Sequence, residues 1–272
     1  PVGQNFIFLP TVKKDVDANF YEMLYGQTDI KTYLEMFEEQ VNSKSLHNLA
    51  IFDKLVERSE YTNDKKVHIF TMLSQNTNKF NVKNLFFLVN ILIKKGLLPV
   101  FHLIGDGQDE QPFNFNKTLI DFSKFLYKRN TPIVTISGRN YVFGKHGRSY
   151  IDNNHILNYF ETICGLGENF FGSANEYANE NLANKTMDAD ILPAANVSVD
   201  DCFVNEKSSI MFLNADPDDF APLAKMFRSE PKLKSVFMSS LAPIYGVNVD
   251  ELFFEDPVAS KTDNLLANVL AD

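Results

Sequence analysis

The amino-acid sequence predicts an α/β protein, with a three-layer, mostly parallel sheet and helices on both of its faces. Between residues 67 and 148, apolar runs of strand length alternate with amphipathic runs of helix length, which is the pattern of βαβ units. Polar clusters follow the apolar runs, as SQNTNK, GDGQDE and SGRN. The chain has 272 residues, of which 44% are hydrophobic, so it can bury a sizeable core.

The same periodicities place the individual elements. We expect helices at 17–40, 45–60, 82–95, from Asn116 or Thr118 to Arg129, at 151–163, from Ser173 to Asn184, at 218–228 and at 264–271. We expect strands at 67–73, 99–104, 132–136, 208–213 and 235–239, with a further strand in LPAANVSV at 192–199. Helices and strands therefore alternate along most of the chain.

The chain divides into a central domain and two flanking arms. We predict an N-terminal arm over residues 1–16, a single α/β domain over 17–240, and a C-terminal arm with a short helix over 241–272. Both arms carry apolar side chains that a partner would cover, among them Phe6, Phe8, Phe253 and Phe254. This predicts a protein partner or a homo-oligomer that forms through the terminal arms.

Charge and cysteine content exclude several classes of protein. The net charge is −9, which argues against nucleic-acid binding. Residues 1–150 sum to about +4 and residues 151–272 to about −13, so an anion would meet a mildly basic first half. No apolar run is long enough for a membrane span, and no signal peptide is visible. Two cysteines without a CxxC spacing predict neither a disulfide framework nor a zinc site, and we expect a cytoplasmic protein.

Five patches at the predicted strand ends resemble one family. They are Leu73-Ser74, HLIGDGQDEQP (102–112), SGRNYVFGKHGR (137–148), DADILP (188–193) and IMFLNADPDD (210–219). In type and spacing they are similar to motifs of the cofactor-independent phosphoglycerate mutases. More narrowly, they resemble the substrate-binding domain that is inserted into the alkaline-phosphatase-like domain of those enzymes.

The resemblance implies a phosphate-binding site from which most cations are missing. In that family, a serine and two metal ions of the phosphatase-like domain transfer the phosphate, and arginines of the inserted domain hold the substrate. The matching positions here are Lys79, Asp109, Arg139, Lys145 and Arg148, which we predict as vestigial substrate-binding residues. Family arginines are replaced by Gln108, Asp216 and Asp219. Each carboxylate 5–6 Å from a trianionic ligand would cost about 3 kcal/mol of binding energy.

Other polar groups have both a structural and a functional interpretation. His68 and His102 lie within apolar strands, which favours buried, hydrogen-bonded rings over metal ligands. Asp106, Asp109 and Glu110 are typical of paired carboxylates for acid–base chemistry, but no nucleophile accompanies them. Gly105-Asp106-Gly107 fits a turn with positive φ better than a phosphate cradle. The cluster of Arg139, Lys145, His146 and Arg148 fits a solvated loop or an anion site.

These observations predict a catalytically inactive, phosphoglycerate-mutase-like domain that serves as a structural or protein-interaction component. On this interpretation the protein is not an enzyme and uses no cofactor and no metal. Two alternatives remain: a binder of a different anionic small molecule, and the substrate-binding half of a split phosphoglycerate mutase.

Overall fold

The structure is a computed structural model that describes residues 33–75, 80–144, 152–214, 216–244 and 246–252. The helices in these ranges are α1 (Tyr33–Asn42), α2 (Ala50–Thr62), α3 (Val82–Lys94), α4 (Phe115–Tyr127), α5 (Asn153–Ile163), α6 (Ala174–Ala183) and α7 (Ala221–Ser229). The strands are β1 (Lys66–Met72), β2 (Leu98–Gly105), β3 (Ile133–Gly138), β4 (Phe170–Phe171), β5 (Ala194–Asn196), β6 (Ser209–Leu213), β7 (Phe237–Ser240) and β8 (Asp250–Glu251).

The described strands form one sheet in the order β4-β5-β3-β2-β1-β6-β7-β8. Neighbouring strands are parallel except at the β3–β5 pair, which is antiparallel. The predicted mostly parallel α/β sheet is therefore confirmed. The carboxyl ends of β1, β2, β3 and β6 lie side by side at one edge, which is where open α/β sheets bind their ligands.

Helices cover both faces of the sheet because side chains alternate along each strand. On β1, Ile69 belongs to a core cluster with α1, α2, α3, α4 and α6. The next residue, Phe70, belongs to a second cluster with α5 and α7. Both side chains are fully buried. The sheet is thus the middle of three layers, as the sequence predicts.

Two predicted helices begin with a 3-10 turn, and one begins where predicted. The helix expected at 45–60 is divided into a 3-10 turn at Leu46–Asn48 and α2. The helix expected at 218–228 begins with a 3-10 turn at Pro217–Phe220 before α7. The start of α6 is as predicted, since the Ser173 hydroxyl accepts a hydrogen bond from the Glu176 amide. The expected helix at 264–271 and most of the one at 17–40 lie outside the described residues.

Helix α4 begins before both of its predicted caps. Its N-cap residue, Asn114, makes no side-chain capping bond. The amide of Phe115 instead donates to the Asp188 carboxylate at 3.0 Å. A cap from so distant a residue leaves no signal in the local sequence, which explains why the boundary was placed later.

Among the described residues, no helix combines the length and the apolar character that a membrane crossing needs. The arm and domain boundaries at residues 16 and 240 remain predictions.

Candidate functional site

The strand-end crevice is built on the turn that follows β2. Gly107 has a φ of +65°, so the predicted positive-φ turn is confirmed at this glycine. Within the turn, the Asp106 carboxylate accepts hydrogen bonds from the amides of Gln108 (3.4 Å) and Asp109 (3.2 Å). These bonds fix the direction of the Asp109 side chain, which points toward the end of β3.

Arg139, the first residue after β3, is held by this turn. Its Nη1 donates to Asp106 Oδ1 at 2.7 Å and to Asp109 Oδ2 at 2.8 Å. The Asp106 side chain is only 2% exposed, whereas that of Asp109 is 39% exposed. The crevice therefore contains a buried ion pair and a more open one that share a single guanidinium group.

The electrostatic balance at Arg139 is set by its two partners. Burial by itself lowers the pKa of the guanidinium, but hydrogen bonds and charges from Asp109 and Asp106 outweigh burial, so the pKa is raised. Two buried atoms at this place have no hydrogen-bond partner, namely Arg139 Nε and Asp106 Oδ2. The positive charge of Arg139 is already matched by two carboxylates.

A 3-10 turn at Asp188–Asp190 packs directly against the backbone of this site. A Cβ atom on Gly105 would lie 2.6 Å from the Asp188 carbonyl oxygen, and one on Gly107 would lie 2.8 Å from the Ala189 amide nitrogen. A Cβ on Gly138 would lie 2.7 Å from the Ile191 nitrogen and closer still to the Ala189 carbonyl. Glycine is therefore required at these three positions by close backbone approach.

The same turn connects the crevice to its surroundings by hydrogen bonds. Asn140 donates from Nδ2 to Asp190 Oδ1 at 2.7 Å and accepts from Gln108 Nε2 at 3.3 Å. The pKa of Asp188 is raised, mainly by burial and to a smaller extent by the charge of Asp106. Backbone donors such as the Phe115 amide lower this pKa, but they do not outweigh burial. Sequence reasoning did not assign a role to Asn140 or to this turn, although the DADILP motif marked its position.

Glu110 joins the ends of β1 and β2 to the start of α4. Its Oε1 accepts from the Ser74 hydroxyl at 2.6 Å and also from the Gln75 amide, and its Oε2 accepts from Asn114 Nδ2 at 3.2 Å. At the end of β6, Asn214 Nδ2 donates to Asp219 Oδ2 at 2.8 Å. The carboxylates of this edge thus take part in hydrogen bonds that shape the crevice.

The structure brings together two of the predicted substrate-binding residues, Asp109 and Arg139. The other three, Lys79, Lys145 and Arg148, lie outside the described residues. The predicted contact residues Phe6, Phe8, Phe253 and Phe254 also lie outside them. Within the described part of the chain, no group of three His, Cys, Asp or Glu side chains is placed to hold a metal ion.

The family model described as "BPG-independent PGAM N-terminus" matches residues 37–248. The chain belongs to this family. The predicted resemblance is thereby confirmed, and the crevice lies in its N-terminal domain.

Named relatives agree with this assignment. The chain is 21% identical over 241 residues to the 2,3-bisphosphoglycerate-independent phosphoglycerate mutase of Malacoplasma penetrans, covering 86% of this chain and 47% of the relative. It is 26% identical over 255 residues to the protein of the same name from Mycoplasma genitalium, and the match covers 89% of this chain and 48% of the relative. The chain therefore spans about half the length of the curated relatives it matches.

A crystal structure of Leishmania mexicana phosphoglycerate mutase has the same fold. The TM-score is 0.69 at 14% identity, and the match covers 82% of this chain and 43% of that one. The prediction that the protein is not an enzyme is wrong, because the family's relatives bear the name of an enzyme. That prediction gave too much weight to the replaced cations.

Proposed function

We propose that this chain is the substrate-side half of a phosphoglycerate-mutase-type protein, and that it acts as an interaction component by docking onto a second, phosphatase-like half. The observation that carries the proposal is the neutralised state of Arg139, which is paired with both Asp106 and Asp109. A site of this kind has a preoriented guanidinium group but no surplus positive charge among the described residues of the turn.

Phosphoryl transfer needs such a surplus. Catalysis of this reaction depends on positioning and on cations that stabilise the charge of the transferring oxygens. A single arginine that is already paired does not supply this charge. The missing cations must come from residues outside the described ranges or from the second half, and the share of the relatives that this chain covers fits an incomplete site.

The test is reconstitution. The chain is mixed with the separately expressed remainder of the Malacoplasma penetrans relative, complex formation is followed by light scattering, and conversion of 3-phosphoglycerate into 2-phosphoglycerate is followed by a coupled assay. We expect a complex, and activity in the mixture only. The Arg139→Gln variant should form the same complex and lose about 100-fold in activity. Activity of the chain alone, or neither complex nor activity in the mixture, would contradict the proposal.

A second function, binding of a different small anion, is favoured by one observation. The buried Nε of Arg139 has no acceptor and Asp106 Oδ2 has no donor, so a small ligand with both kinds of group would satisfy them. Calorimetric titration of the chain alone with inorganic phosphate distinguishes the two functions. Binding that disappears in Arg139→Gln would support the anion binder, whereas the docking proposal expects no heat from the chain alone.

A further inference from the structure

Four polar side chains form a continuous hydrogen-bonded row across the middle of the sheet, far from the crevice charges. We call this row the polar relay. Ser208 Oγ lies 3.1 Å from His68 Nε2, His68 Nδ1 lies 3.0 Å from His102 Nε2, and His102 Nδ1 lies 2.9 Å from Thr135 Oγ1. All four residues have no exposed surface. The relay runs from the start of β6 across β1 and β2 to β3.

An irregularity in β3 completes the relay. Phe101 pairs with Ile133, but the next residue, His102, pairs with Thr135, so Val134 is an extra residue on β3. In a regular strand Thr135 would point to the same face as Ile133, which packs in the cluster opposite the relay. The bulge turns the threonine hydroxyl toward the histidines, and bulges typically redirect side chains in this way.

The hydrogen bonds of the relay are compatible with two orders of donors. In the first order, Ser208, which accepts from the Asn205 amide at 3.0 Å, donates to His68 Nε2, His68 donates from Nδ1 to His102 Nε2, and His102 donates from Nδ1 to Thr135. In the second order, each of the three bonds of the row runs in the opposite direction. In either order each ring carries one proton and is neutral.

The surroundings of the rings disfavour a positive charge. The Phe70 ring stacks on His102 with centroids 4.2 Å apart. Burial lowers the pKa of His68 from 6.5 to about 3, with Asp64 raising it and Lys66 lowering it by smaller amounts. Burial and the neighbouring ring also hold the pKa of His102 well below its ordinary value.

Two other titratable groups near the relay do not supply a compensating charge. They are Tyr159 of α5, next to Thr135, and Cys202 in the 3-10 turn at Val197–Cys202. Burial raises the pKa of both Tyr159 and Cys202, so these two stay neutral in weak acid. The Cys202 thiol is directed at the Asp201 carboxylate, 3.4 Å away.

We propose that the polar relay is an acid-sensitive element of the fold, because a proton added to either fully buried ring places an uncompensated positive charge in the middle of the sheet. Because both histidines bind protons more weakly in the folded state, their contribution to stability is complete above about pH 6.5 and is lost as the pH falls below that value. At about pH 4.5, a ring with the pKa of about 3 that burial gives His68 lowers the folding equilibrium constant about 100-fold.

The first test compares urea unfolding at pH 7 and at about pH 4.5 for three proteins. The His102→Gln variant keeps an acceptor for His68 but removes one titrating ring. Between pH 7 and about pH 4.5, the folding equilibrium constant of both proteins should fall. The factor by which it falls should be about 100 times smaller for His102→Gln than for the unmodified chain. His47 is exposed, and the control His47→Gln should behave like the unmodified chain. An identical pH dependence for His102→Gln and the unmodified chain would overturn the proposal.

A second test needs no substitution and applies even if His102→Gln fails to fold. The imidazole nitrogen chemical shifts of the unmodified chain report charge and tautomer directly. At pH 5 both His68 and His102 should be neutral, with the proton on the same nitrogen, Nδ1 or Nε2, in both rings. A positively charged ring at either position in the folded protein at pH 5 would disprove the relay as described.

Discussion

The crevice and the polar relay are two polar clusters on the same strands, β1, β2 and β3, yet they are built in opposite ways. The crevice uses charged groups, Asp106, Asp109 and Arg139, at the strand ends, where Asp109 is 39% exposed. The relay uses neutral groups in mid-sheet, where every member is fully buried. The one carboxylate of these three groups that is buried, Asp106, is paired with Arg139, because an isolated buried charge is far more costly than a neutral hydrogen bond.

The two clusters also differ in what holds them in place. The relay is held by strand register, including the bulge at Val134. The crevice is held by a turn at 188–190 that comes from a distant part of the chain and touches three glycines. The crevice should therefore be more sensitive to small steric changes, and the relay more sensitive to loss of a single hydrogen-bonding group.

The largest expected effect concerns the support of the crevice. Gly138→Ala places a Cβ against the backbone of Ala189 and Ile191, which should lower the free energy of unfolding by about 3 kcal/mol. Gly172→Ala is the matched control, because a Cβ there meets nothing within 4 Å; it should change stability by less than about 1 kcal/mol. Urea denaturation measures both. Equal losses of stability in the two variants would show that the 188–190 turn moves to accommodate the added methyl group at no cost.

The next effect separates the two ion pairs of Arg139. Asp106→Asn removes the charge of a carboxylate that is 2% exposed and should cost about 3 kcal/mol of folding free energy. Asp109→Asn acts at the more exposed pair and should cost about 1 kcal/mol or less. Thermal unfolding of the two variants side by side is the measurement. A larger loss of stability for Asp109→Asn than for Asp106→Asn would contradict the assignment of Asp106–Arg139 as the ion pair that matters more for folding.

A smaller effect is expected at the end of the relay. Ser208→Ala leaves His68 Nε2 and the Asn205 amide without their partner, which should cost about 2 kcal/mol. Ser229→Ala removes a hydroxyl that bonds to the Lys225 carbonyl at the surface and should be nearly neutral. If the two serine variants are equally stable in urea, His68 has another hydrogen-bond partner. Ser208 would then not be an essential member of the polar relay.

Local sequence signals were enough for most of the fold. Apolar runs predicted β1, β2, β3, β6 and β7, and the Ser173 cap of α6 was identified from residue type alone. The positive φ of Gly107 followed from the strand-end motif. These features depend on neighbours within a few residues, which is the range that periodicity and capping rules describe.

Features made by distant residues could not be predicted in the same way. Three such features join segments that are far apart in sequence. They are the Asp188 cap on α4, the contact of the 188–190 turn with Gly138, and the hydrogen bond between His68 and His102. The bulge at Val134 has no glycine next to it that would mark it in the sequence. The prediction that the protein is not an enzyme was wrong because it rested on single residue replacements, whereas the relatives bear the name of an enzyme.

The position of the 188–190 turn in the chain has a consequence for the order of folding. The turn can pack only after β2 and β3 have paired, because its contacts are with glycines on both strands. Its contacts therefore span long loops, whose closure is entropically unfavourable early in folding. The central strands should gain protection from amide exchange first, and the amides of residues 106–109 should be among the last to do so.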